Sequence, residues 1–465
     1  MNFSAALIDK MRSEGIPESA IETFAHFYLR LVQGAPATIA ETDIIPVDPG
    51  SVPNMADLDR YAGSGRVALA KTAIIKLNGG LGTSMGLDGP KSLIRAKNDL
   101  SFLDITVRQV GRLNDSLGTS MHLLLMNSFF TELATKEALG GMGAAYRDFV
   151  DCFSQHKFPK VDAGTLGPAS WPDDPILEWN PAGHGDLFLS LQSSGLLQKL
   201  CDRGFRYLFV SNIDNLGAQI DLPILGYFAE EGIDFLMEVT DRTAMDRKGG
   251  HLARRKNGRL TLREAGQCAP EDLSFFRDVA RYSFFNTNNV WISLDAVKRC
   301  LEKKLNLSLP PVITRKLLNV HDAASPAVLN FESALGSAIS LFEKSVALRV
   351  PRSRFAPVKN CDDLLLIWSD YYVLTQDYQL RLNPSRRLPP ISIALDPKHY
   401  SLIDLLHERF PTGAPSLVDC ESFSVNGDIR FGREVIVRGA ASLSNTQPVQ
   451  LVIGDGTVVS GNRTV

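Results

Sequence analysis

Apolar residues recur along this chain in three different periods, and each change of period marks a change of architecture. In the first stretch Ile8, Met11, Ile21, Phe24, Phe27, Tyr28 and Leu31 return at helical spacing around Gly15-Ile-Pro17, which predicts two amphipathic helices within residues 1–35. A linker rich in Pro and Gly follows at Ile45–Pro53. From Lys71 onward short apolar runs at Ala73–Leu77, His122–Met126, Tyr207–Val210 and Phe235–Val239 alternate with helical patterns near 104–114, 186–200 and 221–232. That alternation predicts βαβ units, hence an α/β fold with a mainly parallel sheet covered on both faces. Near the C-terminus the period becomes six: Val425, Phe431 and Val437 form one series and Ile429 and Val435 another, with Val452, Ile453, Val458 and Val459 around Gly454 and Gly456. Hexads suit stacked coils of a β-helix, and an antiparallel sheet is the alternative.

The first apolar run ends in a loop holding Gly79, Gly80, Gly82, Gly86 and Gly89 and leaves through Lys91. Glycine lets backbone N–H groups approach an anion unobstructed, and successive N–H groups form an anion-binding nest. A lysine at the exit adds a point charge for a polyphosphate. The spacing excludes the two common cradles. Met85 stands where a dinucleotide fingerprint needs its third glycine, and Pro90 separates Gly89 from Lys91, breaking a Walker loop.

Composition narrows the reading further. A chain of 465 residues is long for one core, so two or three domains are expected. The net charge of −3 offers no general attraction for nucleic acid or an acidic membrane, so anion binding has to be local. The six cysteines lack any Cys-x-x-Cys pair, which suits a reducing compartment rather than a disulfide framework or zinc site. With no secretory pattern and no run of membrane-spanning length, a cytoplasmic location is expected.

Ligands of parallel sheets sit beyond the carboxyl ends of the strands. Asp214, flanked by Asn212 and Asn215, follows the Tyr207–Val210 run and is placed for Mg²⁺, which takes one or two carboxylates with phosphate oxygens and water. An Asx-turn or helix cap is its alternative role. Lys91 and the cationic segment Arg352-Ser-Arg-Phe-Ala-Pro-Val-Lys359 have solvated surface charge as theirs. The amide of Gln155 offers both a donor and an acceptor.

Leu77-Asn-Gly-Gly-Leu-Gly-Thr-Ser-Met-Gly with Gly89-Pro-Lys-Ser resembles the signature of eukaryotic-type UTP–glucose-1-phosphate uridylyltransferases, the UDP-glucose pyrophosphorylases. Val210-Ser-Asn-Ile-Asp-Asn-Leu-Gly-Ala, Met237-Glu-Val-Thr, Lys248-Gly-Gly, Phe285-Asn-Thr-Asn-Asn and Val350-Pro-Arg-Ser-Arg-Phe match in the same order. The resemblance implies a helical N-terminal segment (1–62), a Rossmann-like nucleotidyltransferase domain (63–375) and a C-terminal β-helix (376–465). It implies transfer of the uridylyl group of UTP to glucose 1-phosphate with Mg²⁺ on Asp214, giving UDP-glucose and pyrophosphate. Lys91 and Lys359 would neutralise phosphate charge, with Arg352 and Arg354 positioning the Lys359 segment. Leu77, Asn78, Gly79, Gly80, Gln155, Gly183 and Asn212 would hold the nucleotide, and His184, Glu264, Asn286 and Asn288 the sugar phosphate. The β-helix tail would offer a surface for a homo-oligomer, with edge coils capped in a monomer as the alternative. Ser154, Ala182 and Leu87-Asp88 depart from the usual residues without removing a matched position. A pyrophosphorylase for another UDP-sugar or UDP-N-acetylhexosamine is the alternative within enzymes, and a non-catalytic UDP-sugar sensor the alternative outside them.

Overall fold

In the computed structural model, which describes residues 3–34, 38–143, 146–243, 246, 249–320 and 322–464, the three periods resolve into three kinds of packing. Helices α1 (Phe3–Ser13) and α2 (Glu18–Val32) are separated by a turn at Gly15, whose φ is +69°, and Pro17 precedes the first residue of α2. Their apolar faces bury Leu7, Met11, Phe24 and Phe27 against Phe158, Trp179 and Phe331.

The apolar runs build the central sheet from β1 (Thr72–Asn78), β2 (Leu123–Asn127), β3 (Val150–Ser154), β4 (Tyr207–Asn212), β5 (Phe235–Asp241), β6 (Phe284–Ser293) and β7 (Ser345–Arg349). The order β4-β1-β2-β3 is parallel throughout, with Val210 opposite Ile75 and Ile75 opposite Leu124. β5 and β7 form a second parallel pair. Antiparallel β6 lies between β4 and β5 and joins the two sets into a ten-stranded mixed sheet. Every residue of β1 is buried, as expected for a strand covered on both faces. Successive side chains point to opposite faces, so Ala73, Ile75 and Leu77 enter one core while Ile74 enters the other. The helical pattern near 186–200 is two helices, Leu187–Ser193 and Leu196–Asp202, because Gly195 adopts a left-handed conformation between them.

In the tail β8 (Ser392–Leu395), β9 (Cys420–Asn426), β10 (Ile436–Ser444) and β11 (Val458–Thr464) pair in parallel, as do Ile429–Phe431 and Leu451–Ile453. Val425, Ile429, Phe431, Val435 and Val437 all point inward. Their cluster includes Met85 of the glycine loop, Phe102 and Leu216, so the tail shares a core with the region beside the loop.

Beneath the sheet's carboxyl end lies a buried polar knot. Glu238 on β5 has no exposed surface and accepts from Arg354 Nε (2.8 Å) and Nη2 (2.6 Å), from Trp291 Nε1 (2.9 Å) and from Asn289 Nδ2 (3.0 Å). Removing one partner of a buried pair strands the other charge, at a cost of roughly 3–5 kcal/mol. Glu238→Ala is therefore expected to lower the urea midpoint strongly, whereas Glu408→Ala, which removes an exposed carboxylate from Arg409, is expected to change it little.

Candidate active site

Beyond the carboxyl ends of β1, β2 and β4 opens a cavity of about 460 Å³. Of the residues expected at the site, Leu77, Asn78, Gly79, Gly80, Lys91, Gln155, Gly183, His184, Asn212 and Asp214 line it. The loop after β1 is tied down from below. Asn78 Nδ2 donates to Asn127 Oδ1 (2.7 Å) and Thr135 Oγ1 (2.9 Å), Thr131 Oγ1 donates to the Asn78 carbonyl (2.8 Å), and Ser128 Oγ donates to the Gly79 carbonyl (2.8 Å). The loop then folds back on itself: Gly82 N–H donates to Gly89 O (3.2 Å) and Lys91 N–H to Gly80 O (3.2 Å). Lys91 is thereby returned to the mouth of the nest it leaves.

The Lys91 ammonium donates to Asp214 Oδ2 at 2.8 Å. The other carboxylate oxygen, Oδ1, is buried and has no hydrogen-bond partner among the described residues. Asp214 does not cap the following helix, Leu222–Glu230. Asp221 does, accepting from Ile224 N–H at 3.0 Å. An orphaned carboxylate oxygen on a cavity also lined by the glycine loop fits a hard cation that completes its shell with phosphate and water oxygens. Among the described residues no three His, Cys, Asp or Glu side chains converge for a metal.

At the other wall Gln155 Oε1 accepts from Gly183 N–H (2.9 Å), leaving the Gln155 NH₂ to donate. Close approach matters at two glycines here, meeting a movable side chain at the first and fixed backbone at the second. A Cβ on Gly79 would lie 2.1 Å from Gln155 Nε2, and one on Gly183, whose φ is +86°, would lie 2.6 Å from the Ser333 carbonyl. His184 Nδ1 accepts from Leu335 N–H (3.0 Å), so the neutral ring carries its proton on Nε2. Burial pushes this imidazole down to about 4.

Four expected residues stand off the cavity wall. Asn288 Nδ2 donates to Asn212 Oδ1 (2.8 Å), and Asn288 N–H donates to Asn286 Oδ1 (2.9 Å), so the two asparagines are tied to Asn212 in one chain of hydrogen bonds. Burial raises the Glu264 carboxyl, and the nearby Lys359 charge opposes that rise. The Lys359 carbonyl accepts from Ser84 Oγ of the glycine loop at 3.5 Å, which brings the distant cationic segment beside the nest. In that segment Arg352 makes a two-pronged bond to Asp246 (2.7 and 2.9 Å), and Arg354 is committed to Glu238. Lys248 of the matched blocks lies outside the described residues.

Lys316 and Glu332 also line the cavity, from the antiparallel pair Pro311–Leu317 and Ala327–Ser333. A strand pair far along the chain with no glycine-rich signature gave no sequence signal for them. Ser333 was equally silent, yet its N–H donates to Ala182 O at 2.9 Å and fixes the Gly183 turn.

The family model described as UTP–glucose-1-phosphate uridylyltransferase matches residues 21–438. A UTP–glucose-1-phosphate uridylyltransferase of Encephalitozoon cuniculi is 40% identical over 397 residues, 85% of this chain and 77% of that protein. The Saccharomyces cerevisiae enzyme of the same name is 38% identical, over 92% of this chain and 83% of its own length. Among solved structures, a variant of UDP-glucose pyrophosphorylase from Leishmania major in complex with UDP-glucose superposes with a TM-score of 0.93 at 38% identity, covering all of both chains. A Trypanosoma brucei protein described as UDP-glucose phosphorylase does so at 0.92 and 40% identity, also over the whole of both chains.

The His184 ring has a consequence for pH. Its folded value is lowered to about 4 from an ordinary 6.5, so above 6.5 both states are neutral and the group contributes nothing. As pH falls below 6.5 the unfolded chain takes up a proton that the folded chain refuses. Stability is therefore lost between 6.5 and 4 and levels off below. Urea midpoints across that window should fall less steeply for His184→Gln than for the wild type.

Proposed function

The chain belongs to the UTP–glucose-1-phosphate uridylyltransferase family, and from that premise we propose how its cavity divides the work. The protein transfers the uridylyl group of UTP to glucose 1-phosphate, giving UDP-glucose and pyrophosphate. The observation that carries our reading is the polarity of one cavity. A fixed amide edge, Gln155 with Gly183, lies on one wall, and a lysine–carboxylate pair, Lys91 with Asp214, lies beside the glycine nest.

The uracil is held by the Gln155 NH₂ and the backbone at Gly183, with Leu77, Asn78, Gly79, Gly80 and Asn212 around the nucleotide. The triphosphate lies along the nest toward Lys91. A phosphate oxygen of glucose 1-phosphate attacks the α-phosphorus in line as the α–β bridging bond breaks, and pyrophosphate leaves with the bridging oxygen. The nucleophile is already ionised, so no general base is needed. Positioning two polyanions and neutralising the leaving group account for the catalysis. Lys91 exchanges Asp214 for phosphate oxygens, and Lys359 adds charge from the segment beside the loop. Mg²⁺ held on Asp214 would supply further charge neutralisation at the phosphates. On the sugar side, the Nε2–H of His184 donates to the sugar phosphate, with Glu264, Asn286 and Asn288 as partners for hydroxyls.

We take the same family pattern for the rest of the chain: a helical segment and linker over 1–62, a nucleotidyltransferase domain over 63–375 and a β-helix over 376–465, which offers a surface for self-association. The parallel tail ladders support the β-helix. Six free cysteines suit a cytoplasmic location.

Pyrophosphate release tests the reading. UTP with glucose 1-phosphate should turn over in the presence of Mg²⁺, while ATP should not replace UTP. Equal rates with ATP would contradict the assignment of Gln155 and Gly183, and a preference for N-acetylglucosamine 1-phosphate would contradict the sugar. Asp214→Ala should abolish turnover in a protein that still folds, because Asp214 caps no helix, with the unfolding midpoint lowered only by the loss of its partner Lys91. Lys91→Ala should lower kcat more than UTP affinity, as expected for charge stabilised mainly in the transition state.

A further inference from the structure

Three residues within the matched blocks carry no chemistry toward a phosphate or a hydroxyl: Gly249, Phe285 and Phe355. The two rings meet at Lys359, and Gly249 packs against the first of them. Its ammonium stands 5.3 Å from the Phe285 ring centroid and 5.7 Å from that of Phe355, within the range of about 6 Å for attraction between a cation and an aromatic face. The two rings contact each other at 5.3 Å, tilted by 50°. Each is held. Phe285 is 4% exposed on β6, and a Cβ at Gly249 would lie 2.1 Å from its ring, so the glycine makes the room the ring occupies. Phe355 is 8% exposed, and the Arg352 guanidinium, locked to Asp246, lies 5.3 Å from its centroid. The Lys359 backbone is fixed as well, its N–H donating to Asp363 Oδ2 at 2.7 Å.

We propose that Phe285 and Phe355 are positioning residues for Lys359: an aromatic clamp, seated on Gly249, that holds the ammonium of an otherwise flexible side chain whose backbone meets the glycine loop at Ser84. A lysine stem has four rotatable carbons and normally samples many rotamers. Two fixed π faces restrict that freedom while leaving all three N–H donors available, because the rings use no hydrogen-bonding capacity. The rings thus hold a full charge without neutralising it, in contrast to the Asp214 carboxylate that pairs with Lys91. This inference rests on the reading of Lys359 as a ligand of the UTP phosphates.

The test compares Phe285→Leu, Phe355→Leu and Phe285→Tyr with Lys359→Ala, using direct UTP binding and the KM values for both substrates. Each leucine keeps apolar bulk and removes the π face, and thermal melts identify any variant that fails to fold. If Phe285→Leu does not fold, Phe355→Leu decides. The clamp predicts that each leucine variant weakens UTP binding by about three- to tenfold and spares the KM for glucose 1-phosphate. Phe285→Tyr should retain wild-type affinity, and either leucine variant should add nothing once Lys359→Ala is present. Unchanged or tighter UTP binding in both leucine variants, beside a weakened Lys359→Ala, would overturn the clamp while leaving the reading of Lys359 intact. Losses that add in the double variants would overturn it in the same way. Normal UTP binding by Lys359→Ala itself would overturn the reading of Lys359 and the clamp with it.

Discussion

A carboxylate with no exposed surface needs a partner of opposite charge and donors for its remaining lone pairs, and Glu238 has both in Arg354, Trp291 and Asn289. What hangs on that pair is the relation between two segments more than 130 residues apart. The Asn215 side chain joins them: its NH₂ donates to Arg354 O (3.2 Å) and Asn289 Oδ1 (3.1 Å), and its carbonyl accepts from Ala356 N–H (2.9 Å) and Gly217 N–H (3.2 Å). Asp214 is its chain neighbour on one side of the joint, and Lys359 lies three residues beyond Ala356 on the other. Lys76 completes the knot from β1, donating to Ser211 Oγ (2.8 Å) and Ala218 O (3.1 Å), and burial with the Arg354 charge brings its ammonium down to about 7. A fully satisfied network of this kind specifies one arrangement, because any alternative leaves a buried charge unpaired. The cationic segment is held to Asp214 by the same interactions that hold β5, β6 and the loop after β4 together.

The electrostatics of the cavity follow from that frame. The whole chain is slightly acidic, so attraction for a triphosphate is a local matter of where cations are fixed. Lys91 is paired with Asp214 at 2.8 Å, so in the proposed reaction it has to exchange that carboxylate for phosphate. Lys359 is held by aromatic faces and keeps its donors. The two lysines are therefore supplied in different states, which suits one for charge that develops during transfer and the other for charge already present on bound UTP.

Much of this was legible from residue order. The strand at Ala73–Leu77, the break at Gly15–Pro17, and the glycine loop returning through Lys91 are local features whose physics is written in neighbouring residues. The hexads of the tail predicted inward-facing Val425, Phe431 and Val437, and the ladders there are parallel rather than antiparallel. Legibility failed where the partner lies far away. Glu238 stood in a recognised block, yet nothing local announced an arginine 116 residues on. Antiparallel β6 joins two parallel sets, which alternation of strands and helices could not reveal. Gly195 split one expected helix in two, and Lys316 and Glu332 reached the cavity from a strand pair without a signature.

The most direct measurement is a crystal structure with Mg²⁺ and a UTP analogue that cannot transfer its uridylyl group. This account predicts the uracil edge on Gln155 and Gly183, the metal on Asp214, and the Lys91 ammonium moved from Asp214 to a phosphate oxygen, with the Glu238–Arg354 pair unchanged. A triphosphate bound away from the glycine loop, with the 2.8 Å Lys91–Asp214 pair still intact, would contradict it.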